Sequence, residues 1–149
     1  MSIIRNTDAP TLIDLDGNVF NLSELNSEQT NLILFYNTSC LGCTGRAIPY
    51  GYELSQNNKD LKLIVIHVSL GSRKEDVDEI KSVFTVGEPP FPVYRDLDNR
   101  LYEDFNCEGT PHWIITNNKG EVFYSIFGSQ EGAKLKIELA LTELLPKFS

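Results

Sequence analysis

Cys40 and Cys43 stand one helical turn apart, where the apolar run Leu32-Ile33-Leu34-Phe35-Tyr36 ends and a helix-forming segment begins. A thiol at a helix N-terminus faces unpaired backbone N–H groups and the positive end of the helix dipole, which favour thiolate over thiol. The thiolate is the species that attacks disulfides. With only Leu41 and Gly42 between them, the two sulfurs can close a ring, so a mixed disulfide formed at Cys40 can be resolved internally by Cys43. Two other readings use the same residues. Cys40, Cys43, Cys107 and His112 together make a tetrahedral zinc set on paper, although structural zinc is usually held by two compact knuckles rather than by pairs this far apart. Free cysteines are also among the most buried residue types and can be chemically inert.

The elements that would have to hold these cysteines can be followed along the chain. Thr11-Leu12-Ile13-Asp14-Leu15 and Asn18-Val19-Phe20 flank Asp16-Gly17, a pair suited to a tight hairpin turn. Leu22-Ser23-Glu24-Leu25 reads as one helical turn after it. Leu32 to Tyr36 is apolar on both parities, as a central strand covered on both faces must be. A helix from Cys43 to about Gln56 follows, with Ile48, Tyr52 and Ser55 on one face and Pro49 inside it as a kink. Leu61 to Ser69 is a second buried strand and Arg73 to Phe84 a second helix, a β-α-β-α unit that predicts parallel strands with right-handed crossovers. Three prolines make Gly87 to Pro92 a loop. Val93-Tyr94-Arg95 is expected at a sheet edge, and Asn99 to Phe105 as a short helix. His112 to Thr116 and Val122 to Phe127 form a hairpin about Asn117-Asn118-Lys119-Gly120. A closing helix, Gly132 to about Leu145, is expected to turn Leu135, Leu139 and Leu144 to the core.

Composition narrows the function classes. A chain of 149 residues, 41% hydrophobic, suits one domain, residues 1–149, burying about two thirds of its unfolded surface. Three cysteines are too few for a disulfide scaffold. The net charge of −8, from 21 acidic against 13 basic residues, and the lack of any basic cluster argue against nucleic acid or an anionic membrane as partner. No apolar run approaches the roughly 20 residues of a membrane helix. The N-terminal residues lack the apolar stretch of a secretory signal, so the expectation is a cytoplasmic protein as the chain stands, or an extracytoplasmic one if a leader has been removed.

The order of strand, C-x-x-C at a helix start, helix proline, strand, helix, then Gly109-Thr110-Pro111 before a hairpin and a last helix resembles the thioredoxin-like superfamily. The stretch Asp8-Ala9-Pro10-Thr11-Leu12 through Asp14-Leu15-Asp16-Gly17, followed by Leu22-Ser23-Glu24-Leu25, is similar to its redoxin and TlpA-like thiol-disulfide oxidoreductase branch. The resemblance implies an α/β thioredoxin-like fold, a central mixed β-sheet flanked by helices with an N-terminal β-hairpin extension. It also implies that Cys40 is the exposed nucleophile, Cys43 the buried resolving thiol, Pro111 a cis-proline leaning on the disulfide, and Thr110 a presenter of backbone groups to substrate. The chain departs from the family pattern in several places. Ser39-Cys40-Leu41-Gly42-Cys43 replaces Trp-Cys-Gly-Pro-Cys or Trp-Cys-Pro-Pro-Cys, and the residues between the sulfurs tune the potential. Leu34 stands where thioredoxins bury an acid, and Arg46 where many TlpA-like proteins carry one. Pro49 falls one residue later than the usual proline, which points to an insertion or bulge in the helix.

Arg46 lies one turn beyond Cys43, where its guanidinium could stabilise a thiolate or simply be a solvated helix side chain. Cys107, four residues before Pro111, could form a regulatory or intermolecular disulfide, bind metal, or act as a small buried hydrophobe. His67 and His112 are expected to be structural, and Trp113 to pack near the cysteines. The reading that follows is a thiol-disulfide oxidoreductase, a disulfide reductase working through a mixed disulfide. It needs no cofactor and no metal, and its partners are a protein or small-molecule disulfide and an upstream electron donor. The alternatives are a thiol peroxidase of the same fold, although Asn37 stands where a peroxiredoxin has threonine, and a non-enzymatic Cys/His metal-binding module.

Overall fold

The computed structural model describes residues 11–25, 28–70, 75–96 and 98–149. The expected Asp8-Ala9-Pro10 lead-in and the start of the second helix at Arg73 lie outside them. In chain order the elements are β1 (Thr11–Asp14), β2 (Val19–Asn21), α1 (Leu22–Leu25), β3 (Thr30–Tyr36), a π turn (Cys43–Ala47), α2 (Ile48–Asn57), β4 (Leu61–Val68), α3 (Val77–Ser82), β5 (Val93–Asp96), α4 (Arg100–Asp104), β6 (His112–Thr116), β7 (Val122–Phe127) and α5 (Glu131–Leu144).

The strands form one mixed sheet in the order β2-β1-β5-β4-β3-β6-β7. Strands β3, β4 and β5 run parallel, and β6 and β1 add antiparallel strands on either side. The N-terminal hairpin is pinned by the Asp14 carboxylate, which accepts from the backbone N–H groups of Asp16 (2.9 Å) and Asn18 (2.8 Å). Gly17 at φ 90° closes it, a conformation that costs glycine nothing.

All seven residues of β3 are buried, the outcome expected of a run that is apolar on both parities. Leu32, Leu34 and Tyr36 join a core with Ile48 and Leu54 of α2 and Ile137 and Leu141 of α5. Ile33 and Phe35 point the other way, to Ile64, Ile66, Leu22 and Leu101. Strand alternation therefore sorts one sequence run between two separate cores.

Three expectations are corrected. Val93–Asp96 is an interior strand, since β1 pairs with β5 through Ile13↔Arg95 and Asp14↔Tyr94; a long-range partner has no local signature. The buried face of α2 is Ile48, Gly51 and Leu54, with Tyr52 only partly covered. In α5 the core face is Ala133, Ile137, Ala140 and Leu141, while Leu135 and Leu139 are 58% and 63% exposed. Small alanines bring the helix close to the sheet, and helical spacing from Ile137 leaves those two leucines on the far side. Leu144 is partly buried against the same core, as expected.

Candidate active site

The site begins where β3 stops. Asn37 turns the chain: its Oδ1 accepts the Ser39 N–H at 2.9 Å, and its carbonyl accepts the Cys40 N–H at 3.1 Å. Asparagine suits such a strand-to-helix corner because its short side chain substitutes for backbone partners. The next turn aims the Cys43 N–H at Cys40 Sγ (3.2 Å) and the Thr44 N–H at the Cys40 carbonyl (3.2 Å). Cys40 is partly exposed, Cys43 is fully buried, and both are free thiols.

Residues Cys43–Ala47 wind as a π turn, closed by the Ile48 N–H donating to the Cys43 carbonyl. Helix α2 then starts with Pro49 in its first turn, where a missing N–H is tolerated. The extra residue that displaces Pro49 is thus absorbed in the π turn directly after Cys43. Proline marks the change of helix type rather than a kink within one helix.

The second wall is the segment leading into β6. The Thr110–Pro111 peptide is cis. The Cys40 thiol donates to the Thr110 carbonyl at 3.4 Å, and the Gly128 N–H donates to the Pro111 carbonyl at 2.9 Å. Gly109, at φ +149°, has a ring carbon of Phe127 2.9 Å from where a Cβ would sit. Gly42 is crowded too, since a Cβ there would lie 2.8 Å from Ser129 Oγ and 3.9 Å from Pro111 Cδ. Ser129, two residues before α5, therefore closes the site against the C-x-x-C turn. Trp113, 1% exposed, donates from Nε1 to the Gly128 carbonyl at 2.9 Å and packs its ring on Gly51. With Arg46, Ala47, Tyr50, Ser129 and Lys134 it lines a narrow cleft beside the turn.

The two sulfurs are electrostatically unlike. Burial pushes the Cys43 thiol up to about 12, and its hydrogen bond with Cys40 adds to this; the Asn37 backbone N–H and Thr110 pull it partly back. Arg46 is exposed, with its guanidinium 3.9 Å from the Cβ position of Gly42.

Cys107 packs against the core on the opposite sheet face, the cluster that holds Phe35, and its charge acts on Tyr102. Burial, with the Asp96 carboxylate, pushes its thiol up to about 12. His112, 1% exposed, has both ring nitrogens occupied, Nδ1 accepting from the Glu108 N–H (3.3 Å) and Nε2 meeting Ser125 Oγ (2.7 Å). Among the described residues no group of three or more His, Cys, Asp or Glu side chains is placed to hold a metal ion, so the set of Cys40, Cys43, Cys107 and His112 is not assembled. The cysteine corner and the Thr110–Pro111 segment do meet. Sequence reasoning missed Asn37 as the corner's builder and Ser129 as its wall. An asparagine directly after a buried strand and before a helix was the available signal for the first; nothing local signals the second.

No family model matches the chain. It is 25% identical over 130 residues to the thiol-disulfide oxidoreductase ResA of Bacillus subtilis, covering 86% of this chain and 70% of that protein. Among solved structures, the exposed lipoprotein thioredoxin Etrx1 of Streptococcus pneumoniae superposes with TM-score 0.71 at 19% identity, over 91% of this chain and 99% of that one. A thiol-disulfide isomerase of Corynebacterium glutamicum superposes with TM-score 0.70 at 18% identity, over 95% and 99%. Two cysteines at a strand-to-helix corner, a facing Thr-Pro segment and this sheet order give the chain the thioredoxin-like fold, and in sequence it resembles a ResA-type thiol-disulfide oxidoreductase.

Proposed function

We propose that this oxidoreductase works as a disulfide reductase through Cys40 and Cys43. The observation that carries the reading is the contact between the two thiols at the corner: Cys40 reaches the surface while the buried Cys43 presents both its N–H and its thiol to the Cys40 sulfur. The Cys40 thiolate attacks one sulfur of a client disulfide, that S–S bond breaks, and the departing client sulfur takes up a proton. Cys43, deprotonated, then attacks Cys40 Sγ. The second client sulfur leaves, the Cys40–Cys43 disulfide forms, and two electrons have passed to the client. An upstream dithiol donor restores the reduced pair.

The Cys43 N–H directed at Cys40 Sγ stabilises negative charge there by a charge-assisted hydrogen bond. The Thr110 carbonyl, already 3.4 Å from that sulfur, places an extended client backbone beside the cis Pro111 segment. Arg46 stands at the rim, where it meets client rather than Cys43. The test is trapping. Cys43→Ser incubated with a peptide disulfide accumulates a one-to-one mixed disulfide on Cys40, read by intact mass, whereas the wild type releases both client thiols. A Cys43→Ser protein that gains no adduct overturns the assignment.

A further inference from the structure

The charge beside the cysteines runs opposite to that of the chain as a whole. Acidic residues outnumber basic ones by 21 to 13 and the net charge is −8, yet the charged side chains lining the cleft next to the C-x-x-C turn are Arg46 and Lys134, both cationic. Arg46 projects exposed from the π turn. It meets the opposite wall of the site at Gly42, the residue that joins Leu41 to Cys43. Measured from the Cβ position of Gly42, Arg46 Nη2 and Pro111 Cδ each lie at 3.9 Å and Ser129 Oγ at 2.8 Å. The guanidinium therefore stands over the dithiol turn and close to the cis-proline segment along which a client lies in the proposed reaction.

Lys134 is held in place from α5. Its Nζ lies 5.1 Å from the centroid of the Tyr50 ring, a cation–π contact, and the Tyr50 hydroxyl donates to Glu138 Oε1 at 3.2 Å. The carboxylates whose charges act on Tyr50 are those of Glu138, Glu53 and Glu131, and none of the three lines the cleft. Among the described residues no carboxylate lies within ion-pair distance of Arg46. Two like charges around one cleft repel each other, and an anion lying between them removes that cost. A guanidinium presents a planar fork of donors that matches a carboxylate. The buried walls of Trp113 and Ile137 in the same cleft keep water from screening the charges fully.

We propose that Arg46 and Lys134 bind a carboxylate that the client carries next to its reacting disulfide, so that anionic disulfides are the preferred substrates. The inference rests on the dithiol reading and names its substrate class. The carboxylate takes no part in bond making. It is held at the rim while Cys40 attacks the adjoining sulfur, the client S–S bond breaks and the departing sulfur takes up its proton as described above. The same carboxylate chemistry is offered by an acidic side chain beside a cysteine in a polypeptide and by a small disulfide with its own acid group. A cation that did no more than stabilise the Cys40 thiolate would speed attack on every disulfide alike, whereas a client site speeds attack on anions.

Two chromogenic disulfides make the test. Dithiobis-nitrobenzoate carries a carboxylate on each ring and dithiodipyridine carries none. With either, the reduced protein gives one release of coloured thiol as Cys40 attacks and a second as Cys43 resolves the adduct. The readout is the rate of the first release on the anionic disulfide divided by that on the neutral one, a ratio in which leaving-group differences cancel when variant and wild type are compared. At low salt this ratio is expected to fall about fivefold in Arg46→Gln and about twofold in Lys134→Gln, and salt at about 0.5 M should erase most of the wild-type preference. Peptide disulfides that differ only in Glu or Lys beside the cysteine, followed by intact mass, separate the two sources. An Arg46-dependent preference for the Glu peptide supports a polypeptide client, and one confined to the nitrobenzoate supports a small acid disulfide. A ratio unchanged in both variants overturns the inference. Equal slowing on both disulfides in Arg46→Gln does so too, since it marks an effect on the Cys40 thiolate. A wild type with no second release would overturn the dithiol reading, and the inference with it, whatever the ratio.

Discussion

Cys43 and Cys107 are both buried thiols pushed up to about 12, and they sit on opposite faces of the same sheet. Cys43 has Cys40, a π turn and the Asn37 N–H around it. Cys107 has an apolar cluster against it and the Asp96 carboxylate within electrostatic reach. The environments suppress the thiolate equally, so burial does not distinguish a redox cysteine from an inert one. The difference is a second sulfur in contact, which in the proposed reaction turns a poor nucleophile into an intramolecular one at high effective concentration. The largest expected effect follows directly. Cys40→Ser removes the exposed sulfur and abolishes disulfide reduction, and the two remaining thiols both become unreactive to an alkylating reagent at neutral pH. Rapid alkylation of Cys107 in that variant, read by peptide mass, would break the comparison.

The two regions are joined by the segment from Cys107 to Pro111, and Gly109 is its least replaceable residue. Gly109→Ala places a Cβ 2.9 Å from the Phe127 ring at φ +149°, a backbone region hostile to L side chains. A cost of about 1–3 kcal/mol in unfolding free energy is expected, together with a slower first attack by Cys40, because the Thr110 carbonyl beside its sulfur moves. Cys107 should stay as resistant to alkylation as before. Denaturant unfolding and stopped-flow thiol release measure the two effects on one preparation.

Much of this arrangement was legible in the chain. The apolar runs at Leu32–Tyr36 and Leu61–Val68, the Asp16-Gly17 and Asn118-Lys119-Gly120 turns, and the cysteine spacing are local signals, and the elements stand where these put them. Pro49, one position late, correctly foretold an irregular turn after Cys43. Hydrophobicity weighs leucine above alanine and so points Leu135 and Leu139 to the core, while the buried face of α5 is made by Ala133, Ile137, Ala140 and Leu141. The interior place of β5 and the wall made by Ser129 depend on residues far away in sequence.

Alkaline pH sharpens the comparison further. In the unfolded chain both thiols titrate in the ordinary range, whereas in the folded, reduced protein both are held up to about 12. As pH rises above the ordinary thiol range the unfolded state releases these protons first, so folding stability falls until the folded thiols titrate as well; below that range neither thiol contributes a slope. Oxidation to the Cys40–Cys43 disulfide removes the Cys43 share of this slope, and Cys107→Ala removes the other. Tyr50, also pushed up by burial, contributes alike to every form and cancels, whereas Tyr36 and Tyr102 feel the charges of Cys43 and Cys107 and count with those thiols. Denaturant midpoints of reduced wild type, oxidised wild type and reduced Cys107→Ala, taken from neutral to alkaline pH, should show two separable decrements. A single decrement that vanishes on oxidation would mean that Cys107 titrates as an exposed thiol.

The smallest effect is expected at Cys107 itself. Its side chain is partly buried against the apolar cluster on that face, and its backbone N–H donates to the Tyr102 carbonyl at 3.0 Å, a bond that any residue but proline can make. Cys107→Ala removes one sulfur from this contact and is expected to cost about 1 kcal/mol. Both thiol-release phases should match the wild type, because nothing that Cys107 touches belongs to the corner where Cys40 and Cys43 meet. A variant that lost turnover with its stability intact would show the third sulfur exchanging with the pair. The corner and the far-side cysteine would then be one redox system rather than two environments that happen to share a thiol pKa.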